Sequence, residues 1–207
     1  IIIDIFMKQY HTKDKLEIGI DEAGRGSLFG PVCVAAVIWP DEEPDITKVI
    51  KDSKRLSEKQ RNILREYIED NAISFSVKMI QNGTIDKINI LKSTMKGMHE
   101  CIDEIRETIE VDTLLIDGDR FDPYMDHNFE CIDHHCIIGG DDTYKSIAAA
   151  SILAKTYRDE YIKSLVQKDS TLEKYGLLTN KGYGTKAHKE AIRDYGLTQY
   201  HRKSFKI

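Results

Sequence analysis

The stretch Ile18–Val37, IGIDEAGRGSLFGPVCVAAV, decides how this 207-residue chain is read. Apolar Ile18-Gly19-Ile20 runs onto two adjacent carboxylates, Asp21 and Glu22. Gly24-Arg25-Gly26 follows as a flexible turn carrying one cation, and Val32–Ile38 is a second apolar run. Two strand-like runs across a glycine turn predict a β-hairpin with acids at its rim. Carboxylate oxygens in that position suit a hard metal, and bare glycine amides beside them suit a phosphate or a sugar. An ordinary solvated turn has the same local signature, so the decision rests on the rest of the chain.

Outward from the hairpin, helices and strands alternate. Pro40–Asp52 reads as a surface loop. Ser57-Glu58-Lys59-Gln60 has the form of a capping box and opens a helix to about Asp70. Ala72–Ile80 alternates as a half-buried strand, Asn82-Gly83 reads as a turn, and Thr84 caps a short helix. Leu91–Glu110 carries Met95, Met98, Ile102, Ile105 and Ile109 at helical spacing. Thr113–Ile116 is a short apolar strand ending on Asp117, and Glu130–Ile138 is extended and ends on Gly139-Gly140-Asp141-Asp142. Tyr144–Leu165 is a long helix whose small residues, Ser146 to Ser151, allow close approach to a sheet. Leu178–Thr185 is a glycine-containing loop, and Lys186–Tyr195 a last helix. The pattern predicts an α/β fold with a mixed sheet flanked by helices. A single domain over residues 1–207, with a basic helical segment from about residue 170, accounts for the length.

Hydrophobic residues at 41% and charged residues at 31% describe a globular protein. No apolar run is long enough to span a membrane. The start, IIIDIFMKQY, is interrupted by Asp4 and lacks the features of a signal peptide, so a cytoplasmic location is expected. Cys33, Cys101, Cys131 and Cys136 form no CxxC pair and read as free thiols. The net charge of −5 excludes a uniformly basic nucleic-acid binder. From Lys181 onward, however, seven Lys/Arg face two acids, a local surplus of +5. That surplus fits either a phosphate-binding face or a solvated basic helix.

Three strands run out onto acids: Asp21-Glu22, Asp117 and Asp141. If those strands lie side by side, four carboxylates converge at one sheet edge, where α/β sheets form ligand sites. An all-oxygen donor set prefers Mg²⁺ or Mn²⁺ to zinc, and two such ions relieve the repulsion between the acids and serve phosphodiester hydrolysis. A rival metal site, Cys131-x-x-His134-His135-Cys136, has zinc-type ligands, but strand alternation points them to opposite faces.

Taken together these residues resemble ribonuclease HII, the bacterial type 2 ribonuclease H, over about Glu17–Phe205. The likeness lies in Asp21-Glu22-Ala23-Gly24-Arg25-Gly26, Asp52-Ser53-Lys54-Arg55-Leu56-Ser57, Asn89-Ile90-Leu91 with Thr94-Met95, and Leu115-Ile116-Asp117-Gly118. It continues through Gly140-Asp141, Ile147–Lys155, Arg158-Asp159, Lys181-Gly182-Tyr183-Gly184-Thr185 with His188, and His201–Phe205. The resemblance implies a ribonuclease H-like fold and Asp21, Glu22, Asp117 and Asp141 as catalytic metal-binding acids. It implies that Gly24, Arg25 and Gly26 sense a ribose 2′-hydroxyl, that Tyr183 stacks under the following deoxyribose, and that Lys54, Lys181 and the C-terminal cations hold phosphates. Tyr183 also fits a plain loop anchor. The implied activity is a two-metal (Mg²⁺ or Mn²⁺) endonuclease acting as a monomer. It would hydrolyse the RNA strand of RNA–DNA hybrids and nick duplex DNA 5′ to an embedded ribonucleotide, leaving 3′-hydroxyl and 5′-phosphate ends. Another two-metal nuclease of the same fold and a non-catalytic nucleic-acid-binding module are the alternatives. Departures from the family pattern are Ser27 in place of a common Pro, expected to loosen the turn, Gly139 where Lys is usual, Asp119 where Asn is common, and the extra acid Asp142.

Overall fold

The computed structural model describes residues 7–41, 57–126 and 128–207. Lys54, with the rest of Asp52–Leu56 and most of the Pro40–Asp52 loop, lies outside the described residues. The fold is built on a five-stranded mixed sheet. Strand β1 is Glu17–Ala23, β2 Val32–Ile38, β3 Ser74–Ile80, β4 Thr113–Asp117 and β5 Asp133–Ile137, in the order β3-β2-β1-β4-β5. β1, β2 and β3 pair antiparallel, whereas β1–β4 and β4–β5 are parallel. The carboxyl ends of β1, β4 and β5 therefore reach the same edge of the sheet, which is what gathers the acids.

Helices cover both faces. Helix α1 is Glu58–Asn71, α2 Asn82–Ile88, α3 Ile90–Arg106, α4 Lys145–Lys168, α5 Leu177–Asn180 and α6 Lys186–Tyr195. On one face Met95, Met98, Ile102 and Ile105 of α3 pack against Ile18, Ile20, Val34, Ala36, Leu114 and Ile116. On the other, Ala148, Ala149, Ile152 and Leu153 of α4 meet Ala35, Val37 and Trp39, with Leu64 and Ile68 of α1 behind. The period-2 alternation of the strands thus serves two apolar layers, so β2 is buried along its whole length. Close approach of α4 depends on its small residues and on Gly19, where an added Cβ would sit 2.3 Å from the Ser146 carbonyl carbon. A third cluster joins Leu28 and Phe29 to Ile162, Leu172, Tyr175, Leu177 and Ile192, fixing the C-terminal helices to the start of the molecule.

Several elements differ from the sequence reading. Asp21 and Glu22 lie inside β1 rather than past its end, because pairing with β2 continues to Ala23↔Cys33. Asn82-Gly83 is the first turn of α2, not a separate turn; the carbonyl of Gln81 accepts from the N–H groups of Thr84 and Ile85. The first three residues of the expected Leu178–Thr185 loop belong to α5. The capping box of α1 is formed, with Ser57 accepting from Gln60 and Gln60 returning to the Ser57 N–H.

Candidate active site

Asp21 and Asp117 become neighbours by register. The parallel pairing runs Ile20↔Ile116, so the next residues, both acids, stand side by side, Asp117 at the end of β4 and Asp21 two residues short of the end of β1. Alternation puts Asp117 on the same face as Leu115, which packs on Ile147 of α4. Asp141 arrives from the other neighbour, β5, through Gly139 in a left-handed conformation (φ +69°) and a 3₁₀ turn, Gly140–Asp142. Asp117 Oδ1 draws that turn in by accepting from the N–H of Gly140 at 2.8 Å and of Asp141 at 3.4 Å. A Cβ at Gly139 would meet nothing within 4 Å, so the glycine answers the backbone angle and not a lack of room.

The electrostatics are those of crowded like charges. Asp21 is buried and its carboxyl is pushed well above the usual range by burial first, then by the charges of Glu22 and Asp117, against a hydrogen bond with Ser151. Glu22 is raised by burial, opposed by Arg25, whose Nη1 donates to Glu22 Oε1 at 3.0 Å. Among the described residues Glu22 Oε2 is buried with no hydrogen-bond partner. Oxygen donors, mutual repulsion and a desolvated carboxylate oxygen with no partner are what a hard divalent cation relieves, so the residues fit Mg²⁺ or Mn²⁺ in donor type and charge. Among the described residues no three His, Cys, Asp or Glu side chains close around one point as ligands; these acids hold each other at Coulombic range. The Cys131–Cys136 alternative does not gather either. His134 packs its ring on Phe121 at 5.2 Å, and His135 stacks on His11 at 4.1 Å.

Beside the acids lies a cleft of about 430 Å³ lined by Glu22, Gly24, Arg25, Gly26, Arg61, Ser151, Lys155 and Tyr183, among others. It brings the acid edge, the glycine turn and the tyrosine onto one surface. A larger cleft of about 500 Å³ between α1 and α4 shares Arg61 but has none of the four acids on its walls. Ser151 and Lys155, which the sequence reading gave no role, come from successive turns of α4; Lys155 is tied to Asp159 at 2.7 Å and lowered by burial.

The walls are held together by two buried guanidiniums whose importance no local pattern announced. Arg158 donates to the Pro31, Phe29 and Lys181 carbonyls and to Ser27 Oγ, at 2.7–3.1 Å. Arg202 donates to the Gly30 and Arg25 carbonyls, both at 2.9 Å. Gly24 has φ +89°, and a Cβ there would lie 2.0 Å from Arg158 Nε, so the turn requires glycine on both counts. Ser27 does not loosen the turn. It is fully buried, and its hydroxyl both accepts from Arg158 and donates to the Phe29 carbonyl. Lys181 is not brought to the cleft: its carbonyl serves Arg158, while its ammonium lies 3.5 Å from Glu58.

Asp142 is exposed whereas Asp141 is buried at 4% exposure. Asp141→Ala is therefore expected to abolish activity and Asp142→Ala only to weaken it. Single-turnover cleavage of the two variants checks this, and the reverse order would assign the site to the exposed acid.

Comparison with known proteins agrees with this fold. The family model described as Ribonuclease HII matches residues 18–207. The chain is 46% identical to a Ribonuclease HII of Porphyromonas gingivalis, over 98% of this chain and 94% of that protein. Its fold superposes on a chain of the PCNA:RNase HII complex from Archaeoglobus fulgidus with TM-score 0.71 and 25% identity, covering 91% of this chain and 92% of that one. Bst-RNase HIII in complex with Mn²⁺ is similar at TM-score 0.65 and 24% identity, over 88% of this chain and 63% of that one. With the family model matching residues 18–207 and a relative 46% identical over 98% of this chain, the chain belongs to the ribonuclease HII family.

Proposed function

We propose that this endoribonuclease hydrolyses the RNA strand of RNA–DNA hybrids and nicks duplex DNA on the 5′ side of an embedded ribonucleotide. The products carry 3′-hydroxyl and 5′-phosphate ends. The observation that carries the reading is the convergence of β1, β4 and β5 at one sheet edge, with acids at each end and the Gly24–Gly26 turn and Tyr183 on the adjoining cleft.

Asp21, Glu22, Asp117 and Asp141 would hold two divalent ions, Mg²⁺ or Mn²⁺. Such a pair activates a water and stabilises the leaving oxygen of a phosphodiester. The chain's own groups do the rest. Arg25 neutralises part of the Glu22 charge, easing the approach of a phosphate. The backbone of Gly24-Arg25-Gly26, free of side-chain bulk at Gly26, approaches the ribose closely enough to exchange hydrogen bonds with its 2′-hydroxyl, which both donates and accepts. Tyr183, 37% exposed, offers its ring to the next sugar, with the Arg158 guanidinium carbon 5.4 Å from the ring centre. Lys54 and the C-terminal cations contribute phosphate contacts that set register and carry no sequence information. We further take the enzyme to work as a monomeric single-domain protein of the cytoplasm. Among the described residues no helix is long and apolar enough to cross a membrane.

Tyr183→Ala tests the substrate side of this reading. A stacking contact is worth about 1–3 kcal/mol, so kcat/KM at a ribose–deoxyribose junction is expected to fall roughly 5–150-fold, with a smaller loss on a continuous hybrid. Equal losses on both substrates would reduce Tyr183 to a loop anchor. Mg²⁺ dependence is checked in the same assay, where chelation is expected to stop cleavage of both substrates.

A further inference from the structure

Two histidines buried behind the cleft have no part in the chemistry above. His188 of α6 and His201 are both fully buried, and their Nε2 atoms lie 3.3 Å apart. The far nitrogen of each ring is committed to the backbone. His188 Nδ1 is 2.9 Å from the Tyr183 carbonyl, which can only accept, so this nitrogen carries a proton. His201 Nδ1 accepts from the Thr198 N–H at 2.9 Å, so it carries none. A neutral His201 then has its proton on Nε2 and donates to the bare Nε2 of His188. The hydrogen bonds thus fix both tautomers and form one directed chain, from Thr198 N–H through His201 and His188 to the Tyr183 carbonyl.

We propose that His188 and His201 are positioning residues that hold Tyr183 against the Gly24–Gly26 turn and so tune junction selectivity. This rests on the reading of Tyr183 as the deoxyribose-facing residue. Burial keeps both imidazoles below their ordinary range, and burial together with the neighbouring His188 brings His201 down to about 4, so the pair is neutral at pH 7. The same segment reaches the opposite wall: His201 bridges Phe29, and the next residue, Arg202, donates to the Arg25 carbonyl at 2.9 Å. One strip of chain therefore touches both walls, beside the direct Ser27↔Tyr183 bridge between them. The Tyr183 carbonyl also accepts from the Thr185 N–H at 2.8 Å, a tie that does not depend on His188.

The test compares Tyr183→Ala, His201→Ala, their double variant and His201→Gln on duplex DNA with one ribonucleotide and on a continuous RNA–DNA hybrid. One hydrogen bond's contribution predicts a loss of about 3–10-fold in kcat/KM for His201→Ala on the junction, and less on the hybrid. His201→Gln, whose amide N–H can still donate to His188 Nε2, should stay within about twofold of the parent. Adding His201→Ala to Tyr183→Ala should cost nothing further, because both act through the same ring. Losses equal on both substrates, or multiplying in the double variant, would overturn the relay while leaving the site reading intact. If Tyr183→Ala itself leaves both substrates unaffected, the site reading fails and the selectivity role fails with it. A second readout needs no variant: long-range proton–nitrogen NMR of the imidazoles should find the proton on Nδ1 of His188 and Nε2 of His201. The opposite tautomers would contradict the relay outright.

Discussion

Asp21→Asn and Asp117→Asn are each expected to lower cleavage by at least about 10³-fold, roughly 4 kcal/mol of transition-state stabilisation. The amide keeps the shape and can still accept from the Glu22 N–H, which lies 2.6 Å from Asp21 Oδ1, so the local fold survives. A stability measurement should move the other way. The Asp21 pKa is raised in the folded state, so the folded protein binds more protons than the unfolded chain as pH rises from the unfolded value to the folded one. Stability therefore falls with rising pH across that window, and without metal the ionised carboxylate is a burden on the fold. In chelator at pH 7, Asp21→Asn should unfold at a higher temperature than the parent, while added Mg²⁺ should stabilise the parent and not the variant. Cleavage within about tenfold of the parent, or a variant less stable than the parent in chelator, would sink the metal-site assignment.

The second large effect belongs to Arg158. Its guanidinium serves four oxygens on two segments, Ser27–Pro31 and Lys181, and burial lowers its pKa. Arg158→Ala leaves three carbonyls and a hydroxyl buried without their donor and opens the space beside Gly24. Breaking a buried charged network typically costs about 3–5 kcal/mol. Part is returned, because burial and then Arg158 itself press Arg202 down to about 9, and that repulsion disappears. A net loss of about 2–4 kcal/mol, or roughly 5–15 °C in Tm for a chain of this size, is expected in thermal unfolding. Arg158→Lys should rescue little, since one ammonium cannot span the fork of acceptors. A loss under about 1 kcal/mol would show that the turn and the tyrosine loop hold without it.

What could be read in the sequence follows the range of the interactions involved. The capping box at Ser57, the apolar period of α3 and the bounds of α6 depend on residues three or four apart, and each was legible. Strand-end acids were legible as candidates because apolar runs stop at them. That Asp21 and Glu22 stay within β1 depends on pairing with Ala35 and Val34 across the hairpin, which no local pattern reports. Asn82-Gly83 carries a turn signature that the cap at Gln81 overrides, and α5, only four residues long, is too short to show a period. Arg158 and Ser27 are 131 residues apart, and the two histidines act through a ring contact and a backbone carbonyl. Such partners appear only when the chain is folded, so the residues that shape the cleft were less legible than the acids that line its edge.

The central claim is that one site combines acid-held metal with recognition of a ribose followed by a deoxyribose. The most direct measurement is to map the cut in duplex DNA containing a single ribonucleotide, with Mg²⁺ and with chelator. The account predicts one nick on the 5′ side of the ribonucleotide, leaving a 3′-hydroxyl and a 5′-phosphate, and none with chelator or with Asp21→Asn. Cleavage that persists in chelator, falls on the 3′ side, or proceeds equally on all-DNA duplex would contradict it.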